Sequence, residues 1–461
     1  SLHDTLSHET LEQRRLLAAD VSLDGTVLTV AFDDAADDAV TLEITDTGYS
    51  TTGANVSSGT GTITKLVVAD AGTAKTSDFT LANASQSLTG GLSIGSNILQ
   101  ATIAAPVATD GGNVAIDSSQ LTLSANINSG NGSQTYGADT SISLLNDVNL
   151  TTSTGVAGDI GIHIQGTVDS DGTPRSLNLT SEAIDVAGDI GSISPLSTLT
   201  TLTEQDIGSE RGQFYRSVTT VGEQQYTAGT TSGDIEFNGT YTTTDSNITL
   251  LGDGSSWGVY LSLIGDTAID VGTGAFSVQR VGTSGGQIFS NNGPYNLSID
   301  AQDISVQGGI GRDDASILTN PEINVMTLAG TSTNLTVSEI ITTGGIEATT
   351  RLKPQTDLSL LSGAAPINLS GGVSNTGVSL TLGDSNQTGD IRAGGQFQVG
   401  TLSIGAGDFD VEFNTTSATY VANQTAPVEF KNSGNVTLAG PGQTFAGGIS
   451  TVGVANTFVA G

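Results

Sequence analysis

The chain has 461 residues, of which 61 are Gly, 9 are Pro and none is Cys, and only 13% are charged. Its 47 acidic residues against 13 basic ones leave a net charge of −34, which argues against nucleic acid and anionic membranes as partners, since both are held through clustered Lys and Arg. The missing cysteines remove disulfide frameworks and thiol chemistry, and no apolar run reaches the ~18 residues that span a bilayer.

Residues 1–20 carry the one helical pattern, with Leu2, Leu6, Leu11, Leu16 and Leu17 at roughly helical spacing and Asp4 or Ser7 as cap. The segment is polar and holds His3, His8, Arg14 and Arg15, so it does not read as a signal peptide. Residues 21–50 change texture. Val27, Leu28 and Val30 mark one strand, Val40, Leu42 and Ile44 alternate in a second, and the acidic stretch Asp33–Asp38 lies between them. This pattern predicts a β-hairpin that caps the open end of a longer β stack.

From residue 51 to 461 short strands alternate with Gly, Asn, Asp and Ser turns, as in Ile63–Val68, Leu121–Ile127, Asp234–Gly239 and Val378–Leu382. Two elements recur. One reads G-x-Q-x-aromatic, at Gly132–Tyr136 and Gly222–Tyr226, with shifted copies ending at Phe289, Phe397 and Phe445. The other pairs alternating aliphatic residues with a Gly-Ile-Gly turn, at Leu177–Ser192 and Leu297–Arg312. Copies lie ~90–120 residues apart, too far for one solenoid coil, which predicts modules of several coils each. The expected fold is an all-β parallel β-solenoid with coils of ~20–25 residues and a rod of roughly 80–100 Å. A string of β-sandwich domains is the alternative.

These residues carry a resemblance. The run Leu11–Asp20, LEQRRLLAAD, resembles the LEPR-XLL segment near the N-terminus of very large bacterial surface or exported proteins, with Gln13 in place of Pro. The repeats resemble those of filamentous-haemagglutinin-like bacterial β-strand repeat exoproteins. The resemblance implies a right-handed parallel β-helix, export from a bacterium to the cell surface or medium, and a role in adhesion or surface architecture. The last G-x-Q-x-aromatic copy has only begun when the sequence reaches Gly461. That reads either as a fragment of a longer protein or as an edge completed by a strand of another chain.

Chemistry has little to work with. Of three histidines only His163 lies in strand-like sequence, and Trp257 is the single Trp. The carboxylate pairs Asp313/Asp314 and Asp408/Asp410 lack the aromatic platforms of a sugar-cleaving groove, and Arg211, Arg216 and Arg280 stand alone. No catalytic residue is assigned. Calcium is the one cofactor expectation, held at Asp33, Asp34, Asp37 and Asp38, because loop carboxylates and carbonyls supply the oxygens it prefers. The Asn-x-Ser/Thr triplets at Asn149, Asn178, Asn238, Asn296, Asn334 and Asn435 fall largely in strands, where stacking is expected rather than glycan. The expected function is structural: a non-enzymatic subunit of an extracellular fibre, sheath or surface layer that stacks head to tail on itself. An adhesin or carbohydrate-binding stalk is the alternative, with other cell-surface components as partners. A polysaccharide lyase or hydrolase comes third.

Overall fold

The computed structural model describes residues 19–33, 39–55, 58–72, 76–153, 161–203, 213–229, 233–252, 259–281, 284–291, 293–311, 323–330 and 332–460. The helix expected over residues 1–20 lies outside them, apart from Ala19 and Asp20, which open a strand.

Short strands form because β-branched and aliphatic residues alternate with polar ones over three to five positions, and Gly or Asx follows. Val114–Ile116 points Val114 and Ile116 inward and Ala115 outward, and Leu177–Ser181 repeats the pattern. No such strand is stable alone. Each pairs in parallel with the strand one coil further along, so Leu121 lies on Ile142. The chain is a β-solenoid of about 15 turns, with one core running unbroken from Ala19 to Leu438. At ~4.8 Å per coil that is a rod of roughly 70 Å. It is shorter than expected because many coils are longer. Leu335 has Pro354 as its partner on the next coil, but Ile304 meets its own next-coil partner only at Leu335. The first turn is longer again, running from Leu28 to Leu66.

Three columns of strands make three sides. The first side runs through Lys65–Asp70, Gly91–Ile94, Val114–Ile116 and Gln134–Tyr136. The second runs through Ser77–Ala84, Ile98–Ile103, Gln120–Leu123 and Ser141–Leu144. The third begins with Val107–Ala108, Ile127–Asn128 and Val148–Thr151. Long strands such as Gly233–Thr242 and Val259–Asp270 turn a corner and belong to both first and second sides. A string of β-sandwiches is ruled out, since antiparallel pairs among the described residues are confined to residues 19–60 and the small ribbon at 280–285.

The N-terminal end differs from the expected hairpin. The strands Val27–Phe32 and Ala39–Thr45 are not partners of each other. They lie on different sides, and each has its own antiparallel neighbour, Ala19–Asp24 and Gly48–Thr52. Gly25, at a φ of 61°, makes the two-residue turn after Asp24 that the first of these hairpins requires.

The long-range repeat also resolves differently. The two copies differ by a residue, Asp189-Ile190-Gly191 against Gly309-Ile310-Gly311, and Ile190 belongs to the second side, between Val168 and Val218, whereas Ile310 belongs to the first, between Ile288 and Ile340. Among the described residues these copies therefore do not mark equivalent points of repeated modules. The motif is a corner device usable on any side. Gly191 and Gly311 both have positive φ, and a Cβ would run into the carbonyl oxygen of Thr219 or Ile341 on the next coil. Gly311→Ala should therefore lower stability by about 2 kcal/mol or more, combining backbone strain with the clash. Gly363→Ala, with similar φ but open space around it, should cost only about 1 kcal/mol. Equal shifts of the urea midpoint in the two variants would overturn this account.

Candidate functional site

The conspicuous sequence motif turns out to be structural. Gln134 and Tyr136 are fully buried. The Gln134 amide donates across the corner to Ile127 O in its own coil (3.2 Å) and Thr151 O in the next (2.8 Å). The Tyr136 hydroxyl donates to Gln134 Oε1 at 2.9 Å. Gln224 and Tyr226 repeat this on the third side, with Gln224 bonding Val218 O and Thr242 O. Gln213 and Tyr215 form a copy that the sequence reading passes over, with the Tyr215 hydroxyl 2.7 Å from Gln213 Oε1. Burial pushes all three phenols well above their ordinary range. Among the other recurring aromatics Phe397 is buried in a file of rings with Phe413, Phe430 and Phe445 at 4.9, 6.3 and 6.5 Å. Phe289 alternates with the inward Ile288 and packs at 6.1 Å on Tyr260 instead.

Many outward Asp and Asn side chains serve the next coil. Asn126, Asp147, Asp245, Asp357 and Asp410 each accept the backbone N–H of a residue one coil later, at 2.7–2.9 Å. Sequon asparagines join these ladders: Asn178 donates to Asn149, and Asn435 donates to Asp410. Asn296 accepts from Asn324, and Asn334 donates to Asp303. Asp408, once paired by sequence with Asp410, accepts from the Ser433 hydroxyl instead.

His163 Nδ1 lies 2.8 Å from Asp185 Oδ2 on the following coil, and Thr135 is its register neighbour on the preceding one. The row sits on a strand face whose neighbouring backbone N–H groups, such as those of Gly137 and Gln165, bond to Ile116 O and Tyr136 O. Those two N–H groups are thus committed to the coil-to-coil ladder. Arg216 lies 3.7 Å from Asp189. Of the acidic residues assigned to calcium, Asp33 is an exposed strand-end residue with an interaction partner; Asp34, Asp37 and Asp38 lie outside the described residues. So do His3, His8, Arg211, Trp257, Asp313 and Asp314.

Concave surface is found on the outer face of the second side. One depression of about 180 Å³ includes Thr240, Ala268, Ser298 and Thr327, which follow one another in register on four coils. A second, of about 370 Å³, includes Glu347, Asn368, Arg392 and Glu412 on the next four. Thr327 and Glu347 are themselves register partners, so the two lie end to end. Arg392 is held between Asp390 (3.0 Å) and Glu412 (3.8 Å), and Asn368 donates to Glu347 at 3.3 Å. None of these residues stands out in the sequence, where gaps of about one coil separate them.

Near this face Asp300 stacks over Asp270. Burial, and then the Asp270 charge, raise the Asp300 carboxyl above its ordinary value. A raised folded-state pKa means that the contribution of Asp300 to stability is fully present below the unfolded-state value of about 3.9 and is lost as the pH rises through its raised folded value, so that the ionised side chain adds nothing at neutral pH.

Comparison of the chain with protein-family models, curated proteins and solved structures gives no match. What the fold and its surfaces define is a class: a three-sided parallel β-solenoid stapled coil to coil.

Asp300→Asn should raise the melting temperature slightly at pH 7, and the gain should vanish below about pH 3.9. A gain that persists or grows in acid contradicts the assignment. Tyr226→Phe leaves the buried Gln224 Oε1 without a donor and should cost about 1–3 kcal/mol in chemical denaturation; no loss would mean the pair is not a structural unit.

Proposed function

We propose that this chain is a structural protein of the bacterial exterior, a subunit of a self-assembling extracellular fibre, sheath or surface layer whose rods add end to end by β-stacking. The observation that supports it best is the uniform coil-to-coil ladder, in which strands as far apart as Lys65–Asp70 and Asn456–Ala460 are held by the same in-register parallel pairing to a neighbouring coil. Such a ladder offers the same backbone groups to a strand of another chain wherever a coil lacks a neighbour. A strand from a second copy continues the ladder that holds every other coil. The bacterial and extracellular setting rests on the resemblance of the repeats and of Leu11–Asp20.

Two rods that meet carry like charge, from a net −34 per chain, so the contact should strengthen as salt screens repulsion. Electron microscopy of the purified 461-residue protein across a range of protein and salt concentrations tests the reading. Fibres that lengthen with both, and that Val459→Lys abolishes, are the expected result. Single rods of roughly 70 Å under all conditions overturn it. Fibres that also require millimolar calcium would support calcium at the acidic segment holding Asp33, Asp34, Asp37 and Asp38.

A further inference from the structure

From the outer face of the second side we infer that the rod binds an extended, uncharged polysaccharide chain lying along its axis. The inference goes beyond the structural role and concerns a surface that end-to-end stacking leaves open.

The register of the face sets the shape of the ligand. The eight positions from Thr240 to Glu412 occupy successive coils in one straight row. At the coil rise the row is about 34 Å long, and both depressions lie on it. The ligand that fits is linear and runs across the strands. The coil rise is also close to the length that one sugar unit adds to an extended chain, so successive units meet successive coils.

Chemistry narrows the class. Backbone groups of these central strands are committed to the coils above and below, so recognition falls to side chains. A peptide that adds as a strand needs an edge, and the strands that carry the row between Thr240 and Glu412 are paired with neighbours. Thr240, Ser298 and Thr327 offer hydroxyls over the small Ala268, which leaves room for a ring. Glu347, Asn368 and Arg392 offer planar paired donors and acceptors that match neighbouring sugar hydroxyls. Charge excludes acidic polymers: Asp390 and Glu412 flank the one arginine at 3.0 and 3.8 Å, so Glu347 leaves the trough acidic on balance.

The test is calorimetric titration of the 461-residue protein with cellohexaose, mannohexaose and isomaltohexaose, with hexagalacturonate and a chitosan hexamer as charged probes. At least one neutral hexamer should bind more tightly than either charged one. Its affinity should fall at least about tenfold in Asn368→Ala, which removes a side chain from the larger depression, and in Ser298→Trp, which fills the smaller one. Ser143→Trp, on the same side but outside both depressions, should bind as the parent does. Circular dichroism of each variant checks that the coils are intact. No binding of any neutral hexamer, preference for a charged one, or affinity unchanged in folded Asn368→Ala overturns the inference. Fibre formation is scored separately, so failure here leaves the assembly reading where it stood.

Discussion

A coil of this protein has no interior of its own. Its three strands of a few residues each cannot stand alone, and they bury Val, Ile and Leu only because coils above and below close the space between them. The stacking register is therefore the interaction on which everything else depends. It fixes which side chains face inward, and it carries each inward position into contact with the same position one coil on, as Leu121 meets Ile142. An inward polar group is tolerated only with a partner in reach. The Gln–Tyr pairs meet that condition by bonding carbonyls on two coils at once, so a polar pair in the core ties neighbouring coils together.

The same constraint accounts for part of the acidic composition. Around a corner some backbone N–H groups point out of the ladder and need an acceptor. Asp and Asn on the preceding coil supply it, and an ionised carboxylate, with acceptor capacity only, suits the task while Lys cannot perform it. Asp147, Asp245, Asp357 and Asp410 are used this way. Carboxylate pairs that look catalytic in the sequence are thus partly stapling groups, as Asp408 and Asp410 show. The charge of the rod is in this measure a consequence of how it is held together.

Fold class was legible because alternation and Gly or Asx punctuation are local signals, visible in segments such as Leu121–Ile127. The organisation above the coil was not. Gly-Ile-Gly and G-x-Q-x-aromatic elements recur because the corners of a three-sided coil are nearly equivalent, so a copy appears wherever a corner needs a positive-φ glycine or a buried amide. The distance from one copy to the next then says nothing about modules. The hairpin expected between Val27–Phe32 and Ala39–Thr45 failed for a related reason: adjacent strand signals on a solenoid belong to adjacent sides, and pairing goes to the next coil. The trough was illegible because Glu347, Asn368, Arg392 and Glu412 are each a full coil apart along the chain. Coil length is itself uneven, short from Leu335 to Pro354 and long from Ile304 to Leu335, so no fixed period aligns such positions.

A stacked rod offers three places for function, and they are not equally available. The core is consumed by register, and any group placed there must serve the next coil. The two edges of the described stack are unlike: antiparallel strands at Ala19–Asp24 and Ser58–Thr60, a parallel strand at Asn456–Ala460. A contact between unlike edges is heterologous, and repeated without closure it yields a filament with direction rather than a closed pair. The outer faces are the places where residue identity is least constrained by the ladder, which is why the second side changes from hydroxyls at Thr240 and Ser298 to charged and amide groups at Glu347 and Asn368 without disturbing a coil. In a directional filament each copy of that row points the same way. A ligand laid along one rod would then meet the next copy of the row in the same polarity, and a shallow trough of modest grip on one subunit would gain avidity along the filament, provided the spacing allows both to be engaged.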